Sequence, residues 1–536
     1  MLLFNIKMKA FKIWTLLLIF IQIETVLNFK CGTNNLKIKP KRLNIKQNLK
    51  ASSTLKAPAY TPLEMGFDFT TLQKPSSMSS STFENVKRIL RETRSEFSKI
   101  LQVQHYSIDL SGNLNDLMES CELTNIGEGY ANFLKENDII IFPMFDSSLG
   151  SQTLAAAAPC ALANNNRPIA GVVYINTNLN FEQTNINLYM KNILLHEITH
   201  VLVFHPGLWS LLYMSTTING ITYINSAKAV EKAREHFNCN LIARIPLEDD
   251  GGQGSVGAHW EARYMLGDYM ISTDFPDAAM SDITLGLFED SGFYKVNYYS
   301  GGLFKFGKNK GCEFFQTSCV NSNGVANFDE FCNTNGEAKC SSSRAIKTSC
   351  YKGGIVSAEN CPVPFEYHSN TTYFQKHCNI GTASEALEKM GSSSFCFMSS
   401  LSQENSVPQR PVCYEISCDT SNKKINVKVG SVTISCDDQT VSNPSGLQGS
   451  LECPKYSELC ASPTSSGKVY NDMYNIFTNE AADDGYTIPS SYDDFTGNAL
   501  YDDEDDTTIT PVPRSGDYNI KINLILLAFG IILFLI

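Results

Sequence analysis

Thirteen of the chain's seventeen cysteines lie between Cys312 and Cys460. That density predicts a domain held by disulfides and folded in an oxidising compartment. An odd count leaves one thiol without a partner. Cys121 and Cys160 flank the first strand region and are expected to pair. The thirteen downstream cysteines need one more partner, which Cys239 can supply, and Cys31 is then left over. The competing reading puts Cys31 in an ordinary disulfide or removes it with the signal peptide. The chain ends agree with a secretory route. Lys7, Lys9 and Lys12 precede an apolar run over 13–23, so residues 1–27 read as a signal peptide. The uncharged run 523–536 reads as a glycolipid-anchor signal spanning 520–536, with Ser515, Gly516 and Asp517 upstream. A short membrane helix is the alternative for that end. The expected location is the outer cell surface, with free secretion as the alternative.

At 536 residues the chain is long enough for more than one domain. Residues 28–80, rich in Lys, Ser, Thr and Pro, read as a propeptide or flexible leader. A catalytic domain is expected over 81–311, opening with a helix capped at Ser81 and Glu84. Residues 138–142 and 171–175 read as strands, and 187–204 as a second helix. Residues 312–460 form the cysteine-rich domain, with a strand at 425–429. Residues 461–519 read as a solvated acidic stalk. Asn370-Thr371-Thr372 is a glycosylation sequon. The net charge is −12 and no basic stripe appears, so nucleic acid is not expected as a partner.

The chemistry is concentrated in His196-Glu197-Ile198-Thr199-His200. Residues four apart on a helix share a face, so His196 and His200 can hold one metal ion together. Imidazole nitrogen suits Zn2+, and a catalytic zinc keeps one position open for water. Glu197 beside that position can act as the general acid and base. A third protein ligand is still needed. The compact motif would continue with Gly and His, but Val203 and Pro206 occupy those positions. His205 is one residue out of register. His259, in Gly257-Ala258-His259-Trp260-Glu261, is the better candidate. Val203 predicts that the helix runs on for a turn or ends without the sharp turn that a glycine permits.

Several ordered stretches carry a family resemblance. They are Thr153-Leu154-Ala155-Ala156-Ala157-Ala158-Pro159-Cys160, Arg167-Pro168-Ile169-Ala170-Gly171, the His196–His200 helix, Ala233-Arg234-Glu235-His236-Phe237-Asn238-Cys239, and His259-Trp260-Glu261. Gly267-Asp268-Tyr269-Met270 and Ser281-Asp282-Ile283-Thr284-Leu285 follow. In this order they resemble the leishmanolysin family of metzincin zinc endopeptidases, over residues 120–320. The resemblance implies an α+β fold, with a metzincin-type protease domain followed by a disulfide-rich C-terminal domain. It implies one catalytic Zn2+ on His196, His200 and His259, Glu197 as acid and base, and Met270 in the turn beneath the metal. Protein or peptide substrates are the implied partners, with the chain held at a membrane through its C-terminal anchor. Strand 171–175 would lie along the cleft and pair with substrate. A propeptide thiol, here Cys31, would silence the precursor as a cysteine switch. The alternative is a catalytically inactive surface binding or adhesion protein on the same scaffold.

Overall fold

The computed structural model describes residues 30–49, 60–124, 130–150, 153–181, 186–249, 254–273, 278–296, 298, 304–352, 361–365, 373–379 and 381–460. The expected signal peptide, sequon, acidic stalk and terminal apolar run lie outside these residues. Among the described residues no helix is long and apolar enough to cross a membrane.

The fold is α+β, and its centre is one mixed sheet. Strands β5 (Met65–Phe67), β8 (Ile139–Asp146) and β10 (Pro168–Asn176) run parallel, and β9 (Thr153–Leu162) pairs antiparallel to β10. Two short strands, β1 (Lys30–Cys31) and β2 (Lys41–Arg42), run parallel to β9 on its outer side. Side chains alternate across a strand, and the sheet separates two cores accordingly. Ile139, Ile141, Ala155, Ala157, Val173 and Ile175 face one core. Ile140, Phe142, Ala158, Ala161, Ala170 and Val172 face the other. Burial on both faces explains why β8 reads as a continuous apolar run.

The first core is roofed by helices α1 (Ser80–Ile100) and α4 (Ile186–Leu202). Helix α1 starts at Ser79, whose hydroxyl accepts the Thr82 amide, two residues before the expected cap. Helix α4 presses tightly on the sheet at Gly171. A Cβ there would sit 2.1 Å from Cγ1 of Val201, so only glycine admits this approach. The second core is covered by α2 (Leu114–Ser120), α3 (Tyr130–Glu136), and Ile38, Leu43 and Ile45 from the N-terminal segment.

Residues 30–49 and 60–80 depart from the expected flexible leader. Besides β1 and β2, they form β3 (Lys46–Leu49) and β4 (Thr61–Pro62), and β5 lies in the central sheet with Met65 and Phe67 fully buried. Strand β3 pairs with β7 (Tyr106–Asp109), and β4 pairs with β6 (Leu101–Val103). Strands of two to four residues are too short to leave a periodic signature. Their order comes from partners distant in sequence.

After α4 come α5 (Pro206–Leu212), a β11–β12 hairpin (Ser215–Ile218, Ile221–Ile224) and α6 (Ala227–Phe237). Strand β13 (Ile245–Pro246) then leads to His259, and α7 (Ala262–Met265) and α8 (Asp282–Asp290) follow. Arg263 on α7 is buried among the rings of Tyr264, Phe314 and Phe331, at 5.0, 4.8 and 4.6 Å. Its guanidinium donates to the carbonyls of Phe314 and Thr317, tying the His259 segment to the cysteine-rich region. That region is built on a three-stranded sheet spanning 338–365 and a six-stranded sheet spanning 394–451. Six disulfides lie within it, including Cys340–Cys396 and Cys418–Cys460. Cys239–Cys312 joins it to the protease region, and Cys121–Cys160 lies under the central sheet. Cys31 is the one free cysteine, and it is buried.

Candidate metal centre

His196 and His200 project from one face of α4, as their spacing requires, and His259 reaches them from the loop before α7. The ring centroids lie 4.7 Å (His196 to His200), 5.2 Å (His196 to His259) and 5.0 Å (His200 to His259) apart. Each ring is oriented by its Nδ1. His196 Nδ1 donates to the Tyr269 carbonyl at 2.6 Å, His200 Nδ1 to the Phe204 carbonyl at 2.6 Å, and His259 Nδ1 to the Ser255 carbonyl at 3.0 Å. With the proton held on Nδ1, each Nε2 is left as a lone pair.

These lone pairs converge. The Nε2 atoms of His196 and His200 lie 3.0 Å apart, and His259 Nε2 is buried without a hydrogen-bond partner among the described residues. Burial, with the other imidazoles beside them, pushes His200 well below the usual histidine range and His259 down to about 3. Neutral imidazoles with facing lone pairs are what a soft-to-borderline dication such as Zn2+ requires. The donor set therefore fits a metal ion. Cys31 completes it, since one donor atom from each of Cys31, His196, His200 and His259 lies within 4.8 Å of every other.

Glu197 lies beside the cluster and is almost fully buried. Burial pushes its carboxyl up to about 8, opposed by hydrogen bonds from Cys31 and Thr33. Cys31 Sγ is 3.6 Å from Glu197 Oε2 and 3.4 Å from His200 Nε2. Burial first, and then Glu197, push its thiol well up. The Thr33 hydroxyl lies 3.0 Å from Cys31 Sγ, donates to Glu197 at 3.4 Å and accepts the Ala157 amide at 3.3 Å. The Gly32 amide donates to the Ala155 carbonyl. The N-terminal segment thus covers the centre and occupies the free side of β9. The cleft that remains beside His196 and Glu197, reaching Asn192, Ile193 and Ile271, has a volume of about 40 Å3. A wider groove of about 370 Å3, lined by Tyr223, Leu241, Arg244 and Phe315, contains none of these histidines.

A family model described as leishmanolysin matches residues 92–372, a span that contains the three histidines and Glu197. The chain belongs to the leishmanolysin family. Among curated leishmanolysins, the homolog of Crithidia fasciculata is 25% identical over 394 residues, covering 65% of this chain and 59% of that protein. The leishmanolysin of Leishmania tropica is 25% identical over 397 residues, covering 65% and 57%. A leishmanolysin-like peptidase of Drosophila melanogaster is 25% identical over 296 residues, covering 44% and 43%. The chain spans about three fifths of the length of the leishmanolysins it matches.

Within this leishmanolysin fold the other expected residues fall as follows. His205 stays out of the cluster. It caps α5 by accepting the Gly207 amide, and burial lowers it to about 4. Helix α4 ends at Leu202 without the sharp glycine turn, the second of the two outcomes that Val203 allowed. Val203 is buried, and Phe204 turns its carbonyl back onto His200. No glycine is needed there, because the third histidine arrives from a separate loop. Met270 is fully buried, its amide held by Asp268 and its carbonyl by the Trp260 amide.

One expectation is corrected. Strand 171–175, within β10, cannot pair with an incoming peptide, because β8 and β9 occupy both of its edges. The strand with a side facing the cleft is β9, which went unread as a strand because alanine is depleted in strands. Thr33 also went unread, and Asp268 and Tyr269 stood in a family stretch with no role assigned to either. The Tyr269 hydroxyl meets Thr199 of α4 at 2.7 Å, while its carbonyl holds His196. The Asp268 carboxylate accepts from the Met270 and Ser281 amides and the Thr284 hydroxyl, and Thr284 in turn accepts from Trp260 Nε1. No local pattern marks these contacts, since the partners come from other elements.

Proposed function

We propose that the protein is a zinc-dependent endopeptidase made as a latent precursor, with His196, His200 and His259 as metal ligands and Glu197 as acid and base. The observation that carries this reading is the convergence of three Nε2 lone pairs beside a buried carboxyl. His196, His200 and His259 would hold the zinc, which when bound would supply an acidified water, with a pKa of about 7, and Lewis-acid polarisation of the substrate carbonyl. Glu197 accepts the proton of the attacking water and delivers it to the departing amide nitrogen. Tyr269 and Phe204, through their carbonyls, keep the two α4 imidazoles in the ligating tautomer. An extended substrate pairs with β9, using the Ala155 carbonyl and Ala157 amide that the N-terminal segment now occupies. The substrates are proteins or peptides outside the cell or at its surface. The glycolipid anchor and acidic stalk belong to this proposal on sequence grounds alone.

Cys31 supports latency. Its sulfur lies where a fourth ligand would exclude water, and a thiol that ligates zinc is deprotonated despite its burial. No feature of the site favours the inactive binding-protein alternative, because all three histidines and the glutamate are present. The test is zinc content together with proteolysis before and after removal of the N-terminal segment. Stoichiometric zinc and chelator-sensitive cleavage by the trimmed form are expected. A Cys31→Ser precursor should cleave protein without trimming, whereas equal latency in both precursors would remove Cys31 from the mechanism. A trimmed, zinc-loaded protein that cleaves no protein would overturn the catalytic reading.

A further inference from the structure

The N-terminal segment changes character at one peptide bond. From Lys37 to Arg42 the basic residues face solvent and only Ile38 enters the core. Lys37, Lys39, Lys41 and Arg42 are exposed, while Ile38 is buried. Cys31, Thr33 and Ile38 are buried, but at Lys41 and Arg42 the attachments are slight. Strands β1 and β2 are two residues each, and the side chains of Lys41 and Arg42 meet Asp116, Glu119 and Asn166, which are half-buried to exposed. Exposed ion pairs of this kind hold a segment weakly. From Leu43 onward the chain is built in. Leu43 and Ile45 are 2% and 3% exposed, in one core with Ile108, Leu110 and Leu117. Asn164 donates to the Ile45 carbonyl, and β3 pairs with β7 over four residues.

We propose that Arg42–Leu43 is a processing site for a secretory serine endoprotease that reads paired basic residues, and that Leu43–Leu49 remains in the mature enzyme as its N-terminal strand. The paired Lys41-Arg42, with Lys39 two residues before the pair, supplies the cationic side chains such an enzyme needs on the acyl side. A two-residue edge strand opens locally at little cost, which gives a protease access to an extended backbone. Hydrolysis breaks the Arg42–Leu43 amide. Water supplies the oxygen of a new Arg42 carboxylate and both of its protons to the nitrogen, which becomes the Leu43 ammonium. That nitrogen already donates to the Leu162 carbonyl at 2.9 Å, so the new terminus keeps its partner. The piece that leaves carries Cys31 and Thr33, the two residues over Glu197. A cut beyond Leu49 would instead release β3 and uncover the apolar surface of Ile108 and Leu110. Lysine on an edge strand also discourages aggregation, and that role alone requires no cut.

The inference rests on the latency reading, but its test does not depend on activity. Full-length protein expressed in secreting eukaryotic cells should begin at Leu43 by N-terminal sequencing. An Arg42→Ala variant, altered at an exposed position, should lose that terminus while retaining the melting temperature of the precursor. A Glu197→Gln chain should still be cut, because the enzyme acts in trans. Purified precursor treated with a dibasic-specific serine endoprotease should yield the same terminus. A mature chain beginning beyond Leu49, an uncut chain, or a cut that survives Arg42→Ala would each overturn the proposal. So would a cut lost in Glu197→Gln, which would mean self-processing. A Leu43 terminus on a protein without peptidase activity would uphold the processing site and remove the catalytic reading. Peptidase activity in an uncut chain would do the reverse.

Discussion

Glu197 and the three histidines divide binding from proton transfer, and single substitutions separate the two roles. Glu197→Gln leaves every imidazole in place, with its Nδ1 partner intact. The trimmed variant is expected to keep its zinc and lose about 10²- to 10⁴-fold in cleavage rate, the usual worth of a positioned acid and base. Metal analysis alongside a peptide cleavage assay checks this, and wild-type turnover in the variant would reject the assignment. His259→Ala removes a lone pair that has no hydrogen-bond partner among the described residues, so zinc occupancy after dialysis should drop sharply. His205→Ala removes only the α5 cap. It should cost about 1 kcal/mol of stability and leave zinc unchanged. Reversed outcomes for the two histidines would assign the third ligand to His205.

At the scale of elements, the centre depends on the fit of α4 to the sheet. Gly171 on β10 meets Val201 on α4 one residue beyond His200, where an added methyl would lie 2.1 Å from Cγ1 of Val201. Gly171→Ala is expected to cost about 1–3 kcal/mol, the usual penalty of overpacking, and to weaken zinc retention by shifting the helix that carries two ligands. Chemical denaturation and a zinc-release assay measure the two effects. Wild-type stability would mean that α4 can move off the sheet freely. Gly254 has a related role on the opposite wall. A Cβ there would lie 3.2 Å from the Cys31 carbonyl, so the N-terminal segment can lie flat against the loop that leads to His259.

For the whole molecule, half-buried neutral histidines contribute to the response to acid. Burial lowers His236 to about 3 and His205 to about 4, against an unfolded value near 6.5. The unfolded chain therefore takes up protons first as pH falls. The stability that these groups contribute is full above about pH 6.5 and is lost through the window down to pH 3–4. His236 stacks on Phe304 and its Nε2 meets the Phe306 carbonyl at 2.8 Å. It therefore links α6 to the segment entering the cysteine-rich region. His236→Gln can keep a hydrogen bond to Phe306 but cannot titrate. Its denaturation midpoint should fall less between pH 7 and pH 5 than that of the unaltered chain, and parallel curves for the two would exclude His236 from the acid response.

What the amino-acid sequence determined by itself is whatever follows from spacing and counting. Two histidines four apart share a helix face whatever surrounds them. An odd number of cysteines leaves one thiol over, and Cys31 is that thiol. The ordered motifs around His196–His200 and His259 carried the family, and with it the α+β fold. What only the tertiary structure decided is what depends on partners distant in the chain. Residues 153–162 became the strand beside the cleft although alanine favours no strand, because burial on both faces there leaves room for little else. Residues 30–49, without periodicity of their own, became ordered through the edges of β9 and β7. Thr33 came to rest on Glu197, 164 positions away. No local signal encodes such a contact, because its free energy arises from surfaces that meet only once the whole sheet has formed.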